Sequence, residues 1–566
     1  MRMLYHFRLP SLCLVVLLFS ACGGSETSAP VNVPTAPPPV VTPPSPEKTI
    51  AEKQVEAARL LSQATFGVRM QDIDALVNLG PDKWLEQQLG MPASYHLPYF
   101  ENLQNQIPRD EMWRAHRVEA WWQHSIFAED QLRQRVAFAL SELMVVSEKS
   151  NLFDDFEGLL GYYDILVKHA FGNYRDLLEE VTLSPIMGMY LSMLGNEKAD
   201  IARNIRPDEN YARELMQLFS IGLVELNLDG SPKLDAQNQT IATYDQEIIE
   251  NFAKVFTGWH FNGTSEETWH RWWQNYNTQL PMTAVESYHD RSEKHLLNGL
   301  VLPAEQSAYA DLSAALDNIF AHQNLAPFVA RHLIQRLVSS NPSRDYVQRV
   351  AQVFNDNGQG IRGDLAAVVK AVLSDQEALS GHQTMPERFG KMREPIIKAT
   401  HLWRAFNASS PNGRIELGWP DYFFNQAPLA SPSVFNFFLP DHTTPGALAE
   451  QDLVVPELQI MTETFVVRTT NFLAYYALWG HSQHDREFSE HDIIVDYSAE
   501  AALIDSPDEL IQRLNLLLLS GSMSESYKAI LLEAIEEAQQ SQVPAHEQIA
   551  NLVFLIMSSP QYAVQQ

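Results

Sequence analysis

Cysteine is nearly absent from this chain, since only Cys13 and Cys22 occur among 566 residues. Cys13 lies inside an apolar N-terminal run and is lost if that run is a signal peptide. The mature chain then has no pair of cysteines, which excludes a disulfide, a cysteine-based zinc site and a covalently attached c-type haem. An exported chain of this kind must be held together by its hydrophobic core.

Positive charge is also scarce. Lys and Arg number 40 against 70 Asp and Glu, so the formal net charge is −30, and removing Arg2 and Arg8 with a signal peptide gives −30 − 2 = −32. So acidic a surface opposes nucleic acid, whose binding needs clustered Lys and Arg. It also opposes anionic lipid headgroups, so any membrane attachment has to come from a covalent lipid.

Long apolar runs and catalytic signatures are missing as well. The run from Leu12 to Phe19 is far shorter than the ~20 residues that a membrane span needs. The chain has no HExxH motif, no GxSxG nucleophile elbow and no P-loop. Composition and motif spacing therefore name no reaction and no cofactor.

The N-terminus predicts export. Basic Arg2 and Arg8 precede the apolar run, and the small residues Ser20 and Ala21 precede Cys22, as in a secretory signal peptide. This arrangement resembles a bacterial lipobox, so we expect a signal peptide at 1–21 and lipidation of Cys22 with acyl chains such as palmitate. Gly23, in place of Asp, favours the outer membrane, on either its periplasmic or its surface face. The alternative is an ordinary secretory signal with a chance cysteine.

The rest of the chain predicts a tether and one large domain. Residues 22–49 are rich in Pro, Ser and Thr, which favours a disordered, extended tether. Residues 50–566 predict a mainly α fold, a large multi-helix domain with a small β-hairpin appendage. Lobes at 50–260 and 300–566 are conceivable, with a β-containing insertion at about 223–302, where apolar runs flank Asp229-Gly230.

Local signals predict individual helices. Pro81 after Gly80 indicates a helix start, with Gly90 closing that helix. Asn173 is placed to cap a helix over 174–183. Apolar spacing predicts further helices over 131–146, 508–519, 524–538 and 546–557.

One helical face is the first candidate site. Asn210, Arg213, Glu214 and Gln217 follow the i, i+3, i+4, i+7 spacing that places side chains on one face. If that face packs against another helix, its charges need partners, which Lys391 and Arg393 could provide. A buried ion-pair network, a ligand-binding or catalytic centre and a solvated face all remain open.

His289-Asp290 is the second candidate. A histidine beside a carboxylate can ligate a metal or move protons, and His124 could add another imidazole. A hydrogen-bonded turn explains the same residues without chemistry.

A dense aromatic stretch is the third. Its rings could stack on sugar faces or anchor a protein partner, so a binding protein should expose Trp269, Trp272 or Trp273. Packing beneath the hairpin is the alternative. The stretch comprises Trp259, Phe261, Trp269, Trp272, Trp273 and Tyr276.

Several segments taken in order resemble one bacterial family, domain of unknown function 1800. Nearly everything from residue 57 to residue 562 is covered by this resemblance. The segments are DQLRQRVAFALSE (130–142), ENYAREL (209–215) continuing to Gly222, FTGW (256–259), His289-Asp290 with Lys294, APFVAR (326–331), residues 358–364, GKMREP (390–395) and SPSVFNFF (431–438).

The resemblance implies export and a helical domain, with no settled activity. Members are often encoded beside a second exported family, domain of unknown function 1501, whose members look like sulfatases. We therefore expect a lipid-anchored binding or assembly factor of the envelope, acting with such a partner on polysaccharide. One alternative is a hydrolase-like enzyme with a polar or metal-containing cleft around Arg213, Glu214, His289, Asp290, Lys391 and Arg393. Another is a structural surface-layer component.

Overall fold

The structure is a computed structural model that describes residues 48–566. The predicted signal peptide at 1–21, the lipidation site Cys22 and nearly all of the tether predicted at 22–49 lie outside the described residues.

Helices make up most of the described chain, which confirms the mainly α fold. In the first half they are α1 Ile50–Ala64, α2 Met70–Leu79, α3 Pro81–Gly90, α4 His96–Gln104, α5 Arg114–Phe127, α6 Gln131–Ser141, α7 Phe156–His169, α8 Tyr174–Leu183, α9 Pro185–Tyr190, α10 Asn210–Gln217 and α11 Gln246–Val255.

The second half continues in the same way. Its helices are α12 Ala308–Ala321, α13 Leu325–Leu337, α14 Arg344–Asn355, α15 Leu365–Ser374, α16 Gln376–Thr384, α17 Pro395–Ala405, α18 Pro420–Phe424, α19 Ala447–Glu450, α20 Glu463–Leu478, α21 Ser498–Ala501, α22 Pro507–Leu519, α23 Glu525–Gln540, α24 Ala545–Met557 and α25 Pro560–Ala563.

Helix ends follow the local sequence signals. Thr49 and Glu52 form a capping box at the start of α1, each side chain accepting a hydrogen bond from the other's backbone N–H. Pro81 is the first residue of α3, as predicted. Asn173 caps α8, its side chain accepting from the backbone N–H of Arg175 at 2.9 Å. The three late helices predicted after residue 507 are confirmed to within two residues at each end.

The helix predicted over 131–146 is shorter than expected. It ends at Ser141, and the chain continues through turn and extended backbone, with residues 142–146 still buried. Apolar spacing alone predicted a longer helix, because residues 142–146 are apolar or buried although they are not helical. Glu142, the first residue after the helix, has its Oε2 3.2 Å from the Arg336 Nε on α13.

Short antiparallel pairs make up the β structure. β1 (Trp259–His260) pairs with β2 (Thr283–Ala284), and β3 (Lys294–His295) pairs with β4 (Val301–Leu302). β5 (Lys391–Met392) pairs with β6 (Val564–Gln565), which fixes Lys391 against the C-terminal segment. The hairpin predicted from 223 onward forms as isolated bridges, Val224 with Ala242 and Leu234 with Thr240.

Buried apolar side chains form one large cluster that includes residues from Ala57 to Tyr562. Its largest fully buried members include Trp122 and Trp403, whose rings meet edge to face at 5.1 Å. Residues 49–566 form one compact unit. Within the described part of the chain, every helix is too short or too polar to cross a bilayer.

Candidate functional site

A groove of about 540 Å³ lies between the end of α10, one face of α13 and the loop after Ser431. Its walls are mainly apolar, and four carboxyl or guanidinium side chains, those of Glu142, Arg331, Arg336 and Asp441, also contribute to the lining. The apolar walls include Leu218, Ile221, Phe328, Val434, Phe435 and Phe438.

Local backbone geometry positions these walls. Phe328, His332 and Gln335 follow helical i, i+4, i+7 spacing and so share one face of α13. Gly222 has a φ of +70°, which lets the chain turn out of the segment after α10. Asn436 also has a positive φ, +66°, a conformation that asparagine tolerates better than most residues. The groove is therefore bounded by a helix and by a tightly specified loop.

The rim of the groove is exposed and apolar. Leu223 is 54%, Phe435 47% and Leu439 39% exposed, and all three line the groove. Large apolar side chains that cluster at the surface are typical of protein interaction sites, because their burial removes apolar area from water.

A cluster of buried charges adjoins the groove through Glu142 and Arg336. The Arg336 Nε lies 3.2 Å from the Glu142 Oε2. Lys391 Nζ lies 3.0 Å from the Glu394 Oε1 and 3.3 Å from the Glu457 Oε1. All five side chains are buried. With Arg135, which donates to the backbone carbonyl of Arg336 at 3.2 Å, the cluster contains three cations and three carboxyl groups.

Gln426 connects the Glu142–Arg336 contact to the Lys391–Glu394 pair. Its side-chain nitrogen donates to Glu394 Oε2 at 2.7 Å and to Glu142 Oε1 at 3.3 Å. Two carboxyl groups on one amide disfavour double ionisation in a dry interior.

The two carboxyl groups, those of Glu142 and Glu394, accordingly differ in pKa. Burial, reinforced by Glu394, raises the pKa of Glu142 to about 8. Burial also opposes ionisation of Glu394, yet the charges of Lys391, Arg135 and Arg336 outweigh it and lower the pKa of Glu394. Glu142 therefore keeps a proton at neutral pH while Glu394 is ionised.

This assignment predicts a pH effect. Folded Glu142 holds a proton that the unfolded chain releases above its ordinary pKa of 4.5, so its contribution to stability is lost as pH rises towards 8. Measured by urea unfolding from pH 5 to pH 8, the wild type should lose stability relative to Glu142→Gln, by about 1 kcal/mol per pH unit. A pH-independent difference would contradict the assignment. Glu101→Gln, at an exposed position on α4, is the matched control and should give a flat difference.

The predicted helical face is divided by the structure. Arg213 is partly exposed and pairs with Glu209 at 2.8 Å, while Asn210 is exposed. Glu214 is buried, and burial raises its pKa against the opposing charge of Arg213. Lys391 does belong to a buried ion network, but its partners are Glu394 and Glu457. Lys391 therefore does not pair with Glu214, and its ion network is a different one from that considered for Arg213 and Glu214.

Arg393 lies in a different environment. Its Nε donates to the Tyr562 carbonyl at 3.3 Å, and its guanidinium lies 4.8 Å from the centre of the Tyr562 ring. Its Nη1 lies 3.2 Å from the His401 Nδ1. These contacts attach β5 to the C-terminal segment.

His289 is fully buried, and its carboxylate partner is Asp311 at 3.0 Å rather than the adjacent Asp290. Lys294 Nζ lies 2.6 Å from the same Asp311 oxygen. Asp290 instead accepts from the backbone and hydroxyl of Ser292, which is turn geometry. Between residues 48 and 566, no hydrogen bond or ion pair joins the His289 group to Glu214 or to Arg393.

The residues predicted as metal ligands, His289, Asp290 and His124, do not form one ligand set. His124 bonds to the Tyr95 carbonyl at 2.8 Å, in a contact separate from His289 and Asp290. Across the residues that the structure describes, no three His, Cys, Asp or Glu side chains are arranged to hold a metal ion.

The residues of the aromatic stretch differ in burial. Trp269 is buried, stacks on Tyr288 at 4.1 Å and donates to Glu197 at 3.0 Å. Trp273 is 60% exposed, and the side chain of Trp272 lies outside the described part. Packing therefore explains Trp269, while Trp273 lies at the surface.

Comparison with known proteins identifies the family. A family model described as "Protein of unknown function (DUF1800)" matches residues 59–564. The chain belongs to the DUF1800 family. No curated protein and no solved structure matches it.

The fold brings together several of the segments that carry the family resemblance. Five of the segments that carry it, far apart in the DUF1800 chain, contribute to the groove or to the charge cluster beside it. They supply Glu142, Gln217, Phe328, Lys391 and Phe435. Sequence reasoning missed this site because its members come from separate elements, and Arg336, Gln426 and Glu457 stand in no motif that it used.

Proposed function

We propose that this DUF1800 protein is an exported, lipid-anchored binding factor of the cell envelope, and that its groove docks a partner protein. The observation that carries the proposal is the exposed rim of Leu223, Phe435 and Leu439 around an apolar groove. Since aromatic and large aliphatic side chains dominate the energy of protein interfaces, this rim suits an apolar segment of another protein.

The charge cluster supports the same proposal. A buried ion network costs desolvation energy but specifies one arrangement of the elements that contribute to it. Here it links α13, β5 and the residues after α6, which include two of the groove's own lining residues, Glu142 and Arg336. The groove is thereby preorganised, which lowers the entropic cost of docking.

The partner we propose is an exported, sulfatase-like protein of the domain of unknown function 1501 family. Its support is the encoding of the two families side by side, together with the rim. The hydrolase-like alternative has less support, because its candidate residues lie in separate contact groups: Arg213 with Glu209, His289 with Asp311, and Lys391 with Glu394.

Site-specific photocrosslinking in the native bacterium tests the proposal. With p-benzoylphenylalanine in place of Phe435, the main crosslinked product should contain the sulfatase-like partner. The same reagent in place of Ile530, an exposed residue on α23 away from the groove, should not give that product. Equal crosslinking from both positions, or no such partner at Phe435, would overturn the proposal.

A further inference from the structure

A second cavity, of about 670 Å³, lies away from the groove, where the end of α4 meets the start of α7. Four chain segments wall it: Phe100 and Gln104 on α4, Arg109 and Met112 after that helix, residues 150–157, and residues 276–279. The last segment begins with Tyr276, the final member of the aromatic stretch, which therefore lies at this cavity while Trp269 is buried elsewhere.

Asp155 holds these walls together. Its carboxylate accepts from the Tyr276 hydroxyl at 2.8 Å and from the Thr278 hydroxyl at 3.2 Å. The same carboxylate caps α7 by accepting from the backbone N–H of Gly158 at 2.9 Å. The 276–279 segment is therefore tied to a helix terminus.

The lining combines two kinds of chemistry. Phe153 stands 55% exposed in it, while the Tyr276 ring packs against Phe261 at 5.1 Å and its hydroxyl bonds Asp155. Gln104 donates to Glu157 at 2.6 Å, and the Asn277 side-chain oxygen accepts from backbone N–H groups. The other amide and carboxyl side chains of the lining include Asn151, Asp154 and Gln279. Aromatic faces carry negative charge density and attract the polarised C–H groups of a sugar ring, while amides and carboxylates bond its hydroxyls.

The charge of the cavity lining further narrows the class of ligand. The lining contains three carboxylate side chains, those of Asp154, Asp155 and Glu157. Arg109 is the one lysine or arginine among the lining residues. Arg109 is already directed at Glu157, with 3.4 Å between the charged atoms. An excess of negative charge disfavours phosphorylated or uronic-acid polymers.

We propose that this cavity binds a neutral or amino-sugar chain, making it a saccharide site separate from the partner-docking groove. Phe153 supplies the stacking surface, and the carboxyl of Asp154 with the amides of Asn151 and Gln279 bonds the hydroxyl groups. The site gives the polysaccharide expected from the sequence a defined position on the domain.

Calorimetric titration of the full-length protein tests this proposal with three probes: a neutral glucan hexasaccharide, chitohexaose and an oligogalacturonate. The glucan or chitohexaose should bind, and Phe153→Ala should weaken that binding about tenfold. Phe127→Ala removes an exposed phenylalanine outside this cavity and should leave the affinity unchanged. Circular dichroism on both variants checks that they remain folded.

Three outcomes would overturn the proposal. They are failure of both the glucan hexasaccharide and chitohexaose to bind, tighter binding of oligogalacturonate than of either, and unchanged affinity in Phe153→Ala. The two proposals fail separately. Phe435→Asp should keep saccharide binding, and Phe153→Ala should keep the protein partner, so loss of one activity does not remove the other.

Discussion

Lys391→Met is expected to lower the free energy of unfolding by about 3–5 kcal/mol, because it leaves buried carboxylates without their shared cation. Lys391 Nζ stands between Glu394 at 3.0 Å and Glu457 at 3.3 Å, and all three side chains are buried. Methionine conserves the volume, so the loss reports charge and not a cavity. Urea unfolding followed by circular dichroism measures it.

Lys370→Met is the matched control for this prediction. Lys370 is 40% exposed and faces Glu86 at 3.5 Å, and surface pairs of this kind contribute about 0–1 kcal/mol. The double variant Lys391→Met/Glu457→Gln should recover part of the loss, since it removes one of the uncompensated carboxyls. A single variant as stable as the control, or a double variant less stable than the single one, would contradict this description of the cluster.

Asp311→Asn has the second large expected effect, a loss of about 3–5 kcal/mol in unfolding free energy. One oxygen of Asp311 lies 2.6 Å from Lys294 Nζ and 3.0 Å from the His289 Nε2, and all three residues are fully buried. Asparagine keeps the shape of the side chain but removes the charge, which leaves the buried lysine ammonium without a counterion. Urea unfolding at neutral pH measures the loss.

Asp317→Asn, on the same helix α12, provides its control. Asp317 is largely exposed and pairs with Arg175 at 2.6 Å, so its replacement should cost less than about 1 kcal/mol. Adding Lys294→Met to Asp311→Asn should restore stability, because the uncompensated cation is then gone. If Asp311→Asn and Asp317→Asn lower stability equally, the buried triad does not hold β3 to α12.

Local signals in the sequence were sufficient for much of the fold. Pro81 and Asn173 define helix starts through their own backbone chemistry, and both helices are found where they were predicted. Such effects act within a few residues, so a single sequence contains them. The early end of α6 was missed because the apolar spacing continues past Ser141, where residues 142–146 are buried without being helical.

The candidate site was predictable only in part. Lys391 was named only as a partner that could meet Arg213 and Glu214, and it lies instead beside Glu394 and Glu457. Nothing in the sequence places Glu457 beside Lys391. The density of aromatic residues could not separate buried Trp269 from exposed Trp273, since both fit the same pattern. Only tertiary packing decides which ring finds a partner such as Tyr288.

The central claim, that the groove binds a protein partner, is tested most directly by titrating the purified full-length protein with the purified sulfatase-like partner. The wild type should bind, Phe435→Asp should weaken binding at least about tenfold, and Ile530→Asp should bind as the wild type does. Failure of the wild type to bind, or equal affinity in all three proteins, would contradict the account.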